Sequence, residues 1–231
     1  MCFDSGWFLG SNGKSEGISL LLSYPFSEII TTAEQLREVL GWPGAGAVDK
    51  ELTILDRHAR NFIGRSPFAF VSTANAAGQC DVSPRGDGPG FVEVLDDQTL
   101  LIPDRPGNKR GDTLSNIIEN SHVGMLFLIP DVEDTLRVNG KAAIVGDPDL
   151  LERMAFKGKT PQLAIAVEVE GVYFHCAKAF KRSGIWDPEQ WAGRGDMPSL
   201  GQILLDQTKP EGATAENLDC SIEEAYKTSL Y

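Results

Sequence analysis

The sequence predicts an α+β protein, mainly β, whose antiparallel strands form a small closed barrel with helices inserted at its ends. From residue 68 the spacing of apolar residues changes from helical to extended, and six or seven strand-like runs follow up to residue 175. One strong helical segment, at 112–120, separates consecutive runs. Because a parallel sheet needs a crossover between most of its strands, this pattern favours an antiparallel barrel.

Two helices are predicted before the barrel. The first follows a capping box formed by Thr32 and Gln35. After a Pro/Gly linker at 42–48, a second helix is predicted across 52–64, with an apolar face that begins at Leu52. We expect both helices to pack on the barrel.

The barrel strands are predicted from apolar runs that are bounded by turn residues, such as Asn-Ala-Ala-Gly at 75–78 and Asp-Asp-Gln at 96–98. A short helix is predicted at 149–157, and an acidic helix at 221–229. The predicted strands span 68–73, 80–84, 91–95, 99–103, 122–129, 135–145 and 163–175.

These elements divide the chain into four parts. Residues 1–27 are rich in Gly and Ser and show no apolar period, so we expect a weakly ordered extension there. The N-terminal helices occupy 28–64, the barrel occupies 65–195, and a helical appendage occupies 196–231.

Charge and composition exclude several classes of function. With 33 acidic and 21 basic residues, the net charge of −12 disfavours nucleic acid or an anionic membrane as partner. No apolar run approaches the ~20 residues of a membrane span, and the first residues lack signal-peptide features, so we expect a cytoplasmic protein. The four cysteines and three histidines are scattered, which indicates neither a metal site nor a disulfide framework. No nucleophile elbow is present, so serine hydrolase chemistry is not indicated.

The most informative segment is 102–113, where a predicted strand ends, a predicted helix begins, and three cations and two glycines occur together. Helix starts present unpaired N–H groups and the positive end of the helix dipole. With Lys109 and Arg110 beside it, and with Gly107 and Gly111 allowing close approach of backbone, this junction suits a phosphate group. The Gly-Lys-Ser/Thr of a triphosphate loop is missing, so a mononucleotide phosphate fits better. The alternative is a solvated basic turn.

Two further groups of residues are candidates for the same anion site. Ser83 and Arg85 share one face of a predicted strand, by the period of two, and could add two donors. Lys181, Arg182 and Trp186 follow the longest predicted strand and suit an anionic aromatic ligand. The alternatives are a surface arginine in a turn for the first group, and a cationic surface turn with a core tryptophan for the second.

Three segments taken in order carry a resemblance to a known family: Ser-Pro-Arg-Gly-Asp at 83–87, Pro-Gly-Asn-Lys-Arg at 106–110 and Leu-Arg-Val-Asn-Gly at 136–140. They resemble segments of the pyridoxamine 5′-phosphate oxidase-like flavoproteins, which have the FMN-binding split-barrel fold. The similarity is closest to a bacterial subgroup that carries these segments, and it covers about residues 30–195.

The resemblance implies a homodimer with one FMN in each of two clefts at the subunit interface. It implies that the basic pair before the helix binds the FMN phosphate, and that the preceding strand lays its backbone along the isoalloxazine. The segment after the longest strand would complete the site, across the dimer. The implied cofactor-binding residues are Ser83, Arg85, Ile102, Pro103, Asp104, Asn108, Lys109, Arg110, Lys181, Arg182 and Trp186.

The function that the resemblance implies is an FMN-dependent oxidoreductase that acts on a small molecule with an electron donor or acceptor. Pyridoxamine-phosphate oxidases end in an Arg-Leu-x-Pro type segment that helps to bind substrate, whereas this chain runs on into an acidic helix. Oxidation of vitamin B6 is therefore not expected, and the substrate is unidentified. The alternatives are a deazaflavin- or haem-handling split-barrel protein and a non-catalytic flavin carrier or sensor.

Overall fold

The structure is a computed structural model, and it describes residues 26–231. The chain divides into two compact units between Val48 and Asp49. Most of the extension predicted at 1–27 therefore lies outside the described residues. No helix between residues 26 and 231 is long and apolar enough to cross a membrane.

The first unit contains helices α1 (Ala33–Leu40) and α2 (Ala45–Val48). The capping box of α1 is confirmed, because Thr32 Oγ1 accepts from the Gln35 N–H at 3.2 Å and the Gln35 side chain accepts from the Thr32 N–H. A single helical turn, α2, lies within the predicted linker. None of the α1 residues is buried, and its packing on the barrel stays a prediction.

The second unit contains a seven-stranded sheet in which every neighbouring pair of strands is antiparallel. The strand order is β2-β1-β5-β6-β7-β4-β3, with β2 and β3 at the two edges. The split-barrel class is confirmed, but no pairing of β2 with β3 closes the barrel in the described part of the chain. The strands are β1 (Phe68–Ala74), β2 (Cys80–Gly86), β3 (Glu93–Val94), β4 (Thr99–Pro103), β5 (His122–Leu128), β6 (Thr135–Val145) and β7 (Ala164–His175).

The helices of the second unit differ from the predictions at their ends: the helix predicted at 149–157 stops at Arg153, and two others start at different residues. The predicted second helix begins late, because Asp56 Oδ1 caps it by accepting from the N–H of His58 and of Ala59. Leu52 instead forms a β-bridge with Val172. The helices are α3 (Arg57–Arg65), α4 (Asp112–Glu119), α5 (Pro148–Arg153), α6 (Lys178–Ser183), a 3₁₀ turn (Pro188–Gln190), α7 (Leu200–Thr208) and α8 (Ala215–Thr228).

The main core packs α3 and α4 against one face of the sheet. Phe62 and Ile63 of α3 and Ile117 of α4 are buried there with the inward side chains of β1, β5, β6 and β7. Burial alternates along β1, where Val71 is buried and Phe70 is exposed, as the period of two requires. The sheet therefore holds α4 in a fixed position relative to β1 and β2.

A bulge in β6 explains why position 140 is a glycine. The pairing of β6 with β7 shifts register between Asn139 and Gly140. A Cβ atom added to Gly140 would overlap the carbonyl oxygen of Glu168 on β7. The two backbones approach so closely that only glycine fits at this position.

Candidate functional site

A cleft of about 550 Å³ lies at the start of α4. Its walls come from β2, from the loop between β4 and α4, and from the segment before β7. The lining residues are Ser83, Arg85, residues 104–114, residues 159–163 and Tyr231. The cleft brings together six residues that the sequence predicted for one site: Ser83, Arg85, Asp104, Asn108, Lys109 and Arg110.

The start of α4 is open to an anion. Its N-cap residue is Gly111, with φ of 70°, which has no side chain to accept hydrogen bonds from the first-turn N–H groups. Lys109 is also left-handed, with φ of 62°, and Asn108 Oδ1 shapes the loop by accepting from the Arg110 N–H at 3.0 Å. The backbone N–H groups and the helix dipole both favour a negative ligand here.

The two predicted phosphate-binding cations are available to a ligand. In the part of the chain that the structure describes, Lys109 forms no ion pair. Arg110 Nε donates to Asp112 Oδ2 at 2.8 Å, but both side chains are exposed. Exposed ion pairs are worth about 0–1 kcal/mol, so Arg110 can exchange this partner for a ligand at little cost.

Arg85 lines the cleft and contributes a buried hydrogen-bond donor to its wall. Its Nε is buried and has no hydrogen-bond partner among residues 26–231. A buried donor without a partner costs about 1–3 kcal/mol, which a ligand oxygen would recover. Arg85 also acts on Asp104, where burial raises the pKa of the carboxyl group and the nearby guanidinium opposes that shift.

A partly buried hydroxyl network joins β2 to α4. Ser83 Oγ donates to Asp81 Oδ2 at 2.9 Å, and Thr113 Oγ1 lies 2.7 Å from the same oxygen and 3.1 Å from Ser83 Oγ. The hydroxyl proton of Ser83 is therefore already engaged in the hydrogen bond to Asp81. Sequence reasoning missed Asp81 and Thr113 because their pairing spans 32 residues of chain.

Arg105, the third cation of the segment 102–113, forms an ion pair with Asp87. Its Nε donates to Asp87 Oδ2 at 2.8 Å, and its Nη2 donates to the Met154 carbonyl oxygen at 3.0 Å. The Asp87 side chain is 1% exposed, so the pair is largely shielded from water. Tyr231 also reaches this carboxylate, from its Oη to Asp87 Oδ1 at 3.0 Å. No sequence signal placed Tyr231 in the cleft.

Two predicted residues, Ile102 and Pro103, lie on β4 immediately before the cleft. Both side chains are buried, and both residues pair with β7. Their implied backbone contact with an isoalloxazine stays a prediction.

The second basic cluster lies elsewhere in the chain. Lys181 pairs with Glu133, and Trp186 Nε1 donates to the Val132 carbonyl oxygen at 3.1 Å. Lys181, Arg182 and Trp186 do not line the cleft of their own chain. Their role across a dimer interface stays a prediction.

An antiparallel split barrel with a basic cleft at the start of its inter-strand helix defines the class of this protein. The sequence model of the pyridoxamine 5′-phosphate oxidase family matches residues 55–176, more than half of the 231 residues. The chain belongs to this family.

Solved structures with partial similarity include three proteins. HupZ from group A Streptococcus is 20% identical, with 52% of this chain and 92% of that chain covered and a TM-score of 0.44. A candidate pyridoxamine 5′-phosphate oxidase from Lactobacillus delbrueckii is 23% identical, with 54% and 98% covered and a TM-score of 0.43. An F420 reductase is 21% identical, with 50% and 94% covered and a TM-score of 0.36. Comparison with curated proteins gave no match.

Proposed function

We propose that this protein binds FMN in the cleft and is an FMN-dependent oxidoreductase that acts on a small molecule. The observation that carries the proposal is the buried Nε of Arg85, which has no hydrogen-bond partner among residues 26–231. Its cleft also contains Lys109 and the start of α4, whose N-cap is a glycine. These groups concentrate positive charge in a protein of net charge −12. Membership of a family that typically binds flavin supports the same ligand.

The residues of the cleft fit a flavin mononucleotide. A volume of about 550 Å³ lies within the range of small-molecule sites, roughly 300–1,000 Å³. Lys109, Arg110 and the N–H groups at the start of α4 would bind the phosphate, and Arg85 would add a buried donor. When bound, FMN supplies hydride chemistry, and the protein supplies binding and orientation.

Hydrogen bonds and an ion pair within the chain hold the parts of the site in place without a ligand. The hydrogen bonds among Asp81, Ser83 and Thr113 fix the start of α4 against β2. The Arg105–Asp87 pair fixes the loop that leads to Lys109. Asp104 also lines the cleft, where burial raises the pKa of its carboxyl group and the Arg85 guanidinium opposes that shift. We assign no catalytic acid or base, because the hydride chemistry resides on the cofactor.

We propose a homodimer in which the outward face of β2, β1 and β5 meets a second copy. Val82 is 61% exposed and Phe70 is 37% exposed on this face, while Ser83 and Arg85 alternate with Val82 along β2 and line the cleft. An apolar face that adjoins the cofactor cleft fits the shared site that the family implies. Light scattering should give a dimer mass for the wild-type protein and a monomer for Val82→Glu. A monomeric wild-type protein would contradict the shared cleft.

The phosphate assignment is tested by comparing FMN with riboflavin, which lacks the phosphate. Each lost charge-assisted hydrogen bond weakens binding by about 1.5–3 kcal/mol, so the wild-type protein should prefer FMN by about 100-fold or more. The double variant Lys109→Glu with Arg110→Glu should lose this preference. The control variant Lys209→Glu with Lys227→Glu adds the same charge outside the cleft and should keep it. An unchanged preference for FMN in the first variant would exclude the assignment.

Turnover separates an oxidoreductase from a carrier or sensor. The loaded protein should accept electrons from NADH or NADPH and pass them to an acceptor in steady state. A bound flavin that is never reduced and reoxidised would favour the non-catalytic alternative. Oxidation of pyridoxamine phosphate is not proposed, and the cytoplasmic location remains a prediction from the sequence.

A further inference from the structure

Tyr231 closes one side of the cleft through a small set of contacts. Its Oη donates to Asp87 Oδ1 at 3.0 Å, and its ring lies 5.0 Å from the ring of Phe156. The ammonium group of Lys157 lies 4.9 Å from the centre of the Tyr231 ring, and the guanidinium carbon of Arg105 lies 6.0 Å from it. Tyr231 therefore lines the same cleft as Arg85 and Lys109, which we assign to the phosphate.

Tyr231 follows a helical hairpin that has its own internal contacts. Helices α7 and α8 pack on each other, and the Gly201 N–H donates to Asp219 Oδ1 at 2.7 Å. For residues 200–231 of the described structure, the hydrogen bonds and ring contacts to the barrel all involve Tyr231. One side chain thus makes these contacts between the hairpin and the barrel.

The acceptor of the Tyr231 hydrogen bond does not depend on Tyr231. Asp87 also accepts from Arg105 Nε at 2.8 Å and from the Gly88 N–H at 2.8 Å. Its charge stays paired when Tyr231 leaves, so undocking exposes no unpaired buried carboxylate. Lys157 is exposed, so its cation–π contact with the half-buried Tyr231 ring is weak. The contact can therefore open and close without disturbing the barrel.

The segments that Tyr231 contacts are those that carry the phosphate-binding residues. Asp87 lies two residues after Arg85, and Arg105 lies four residues before Lys109. Tyr231 therefore contacts the wall of the cleft at the point where both segments converge.

We propose that Tyr231 gates the cleft, so that a ligand enters and leaves only while the hydrogen bond from Tyr231 to Asp87 is open. The inference rests on FMN as the ligand of the cleft. A gate scales the association and dissociation rate constants together, since the ligand passes through the same open state in both directions. A side chain that only contacts the bound ligand changes the dissociation rate constant alone.

Stopped-flow binding of FMN to the full chain measures both rate constants. Tyr231→Ala should raise the association and dissociation rate constants by about tenfold each, since a hydrogen bond to a charged group holds the gate shut, and should leave Kd within about twofold. Tyr231→Phe keeps the ring and should give a smaller rise in both. Tyr226→Ala, which removes an exposed tyrosine from the same hairpin, should match the wild-type protein.

The outcomes separate the gate from the proposed function. FMN uptake with unchanged rate constants in Tyr231→Ala and Tyr231→Phe would overturn the gate alone. A rise in the dissociation rate constant alone would make Tyr231 a binding contact and would also overturn the gate. A wild-type protein that takes up no FMN would overturn both the gate and the proposed function.

Discussion

Thr113, in the first turn of α4, donates a hydrogen bond from Oγ1 to Oδ2 of Asp81 on β2 at 2.7 Å. The Thr113 side chain is among the few polar groups in the buried part of the chain, and its residue is 2% exposed. This bond joins the helix start to the edge strand. Those two elements carry the N–H groups and the Arg85 guanidinium that we assign to the phosphate.

The hydrogen bond from Thr113 to Asp81 should stabilise both the fold and the FMN site. Thr113→Val keeps the shape of the side chain but removes the hydroxyl, so the start of α4 should shift from β2. We expect a loss of about 1–2 kcal/mol in the free energy of unfolding and an affinity for FMN about tenfold lower. Urea unfolding and FMN titration measure the two effects. Thr113→Ser keeps the hydroxyl and should restore binding, and wild-type affinity in Thr113→Val would contradict the positioning role.

Arg85 should show opposite effects on stability and on binding. Arg85→Met removes a buried donor that has no partner in the described part of the chain, so the ligand-free protein should keep its free energy of unfolding or gain up to about 1 kcal/mol. The same change should lower the affinity for FMN by about tenfold or more, because the ligand loses a charged donor. Denaturation without ligand and titration with FMN separate the two. A large loss of stability with unchanged binding would make Arg85 a structural residue.

Asp104 should make stability depend on pH. Burial raises the pKa of its carboxyl group above the ordinary value, so its cost to stability grows as the pH rises above that ordinary value and is fully present above the folded-state pKa. Asp104→Asn should therefore melt at a higher temperature than the wild-type protein at pH 7. The difference should shrink as the pH falls to about 3, where the wild-type aspartate is protonated too. A difference that is constant with pH would show that the pKa of Asp104 is not raised.

The free energy of unfolding should depend on Gly140, at the bulge in β6. Gly140→Ala places a methyl group against the Glu168 carbonyl oxygen, and we expect a loss of about 2 kcal/mol or more in the free energy of unfolding. Gly124→Ala on the neighbouring strand β5 is the matched control, because its Cβ would lie 3.5 Å from Asn139 Oδ1, an ordinary contact. Equal stability of the two variants would show that β6 and β7 can separate at the bulge.

The bounds of the strands were predicted best where turn residues flank the strand. The strands at Thr99–Pro103 and Thr135–Val145 have the predicted bounds. The strand predicted at 91–95 shortens to Glu93–Val94, because this edge strand pairs only with β4. The helix predicted at 221–229 begins earlier, as α8, because Thr214 Oγ1 caps it by accepting from the Asn217 N–H.

Sequence patterns predicted the candidate-site residues that are neighbours in the chain. They did not predict the contacts between residues that are far apart in the chain. Lys109, Arg110 and the start of α4 are neighbours in sequence, so helix-start rules could place them together. The contacts of Asp87 with Arg105 and Tyr231 join residues 18 and 144 positions apart, which no local pattern indicates. For the same reason the sequence could not show that the basic residues of α6 lie outside the cleft of their own chain.

Binding of FMN in the cleft is tested most directly by the visible spectrum of the purified protein, together with the mass of the ligand that heat releases. We predict a flavin spectrum and release of FMN. A deazaflavin or haem spectrum would assign the cleft to another ligand of the split-barrel fold. A colourless protein that also fails to take up added FMN would contradict the claim.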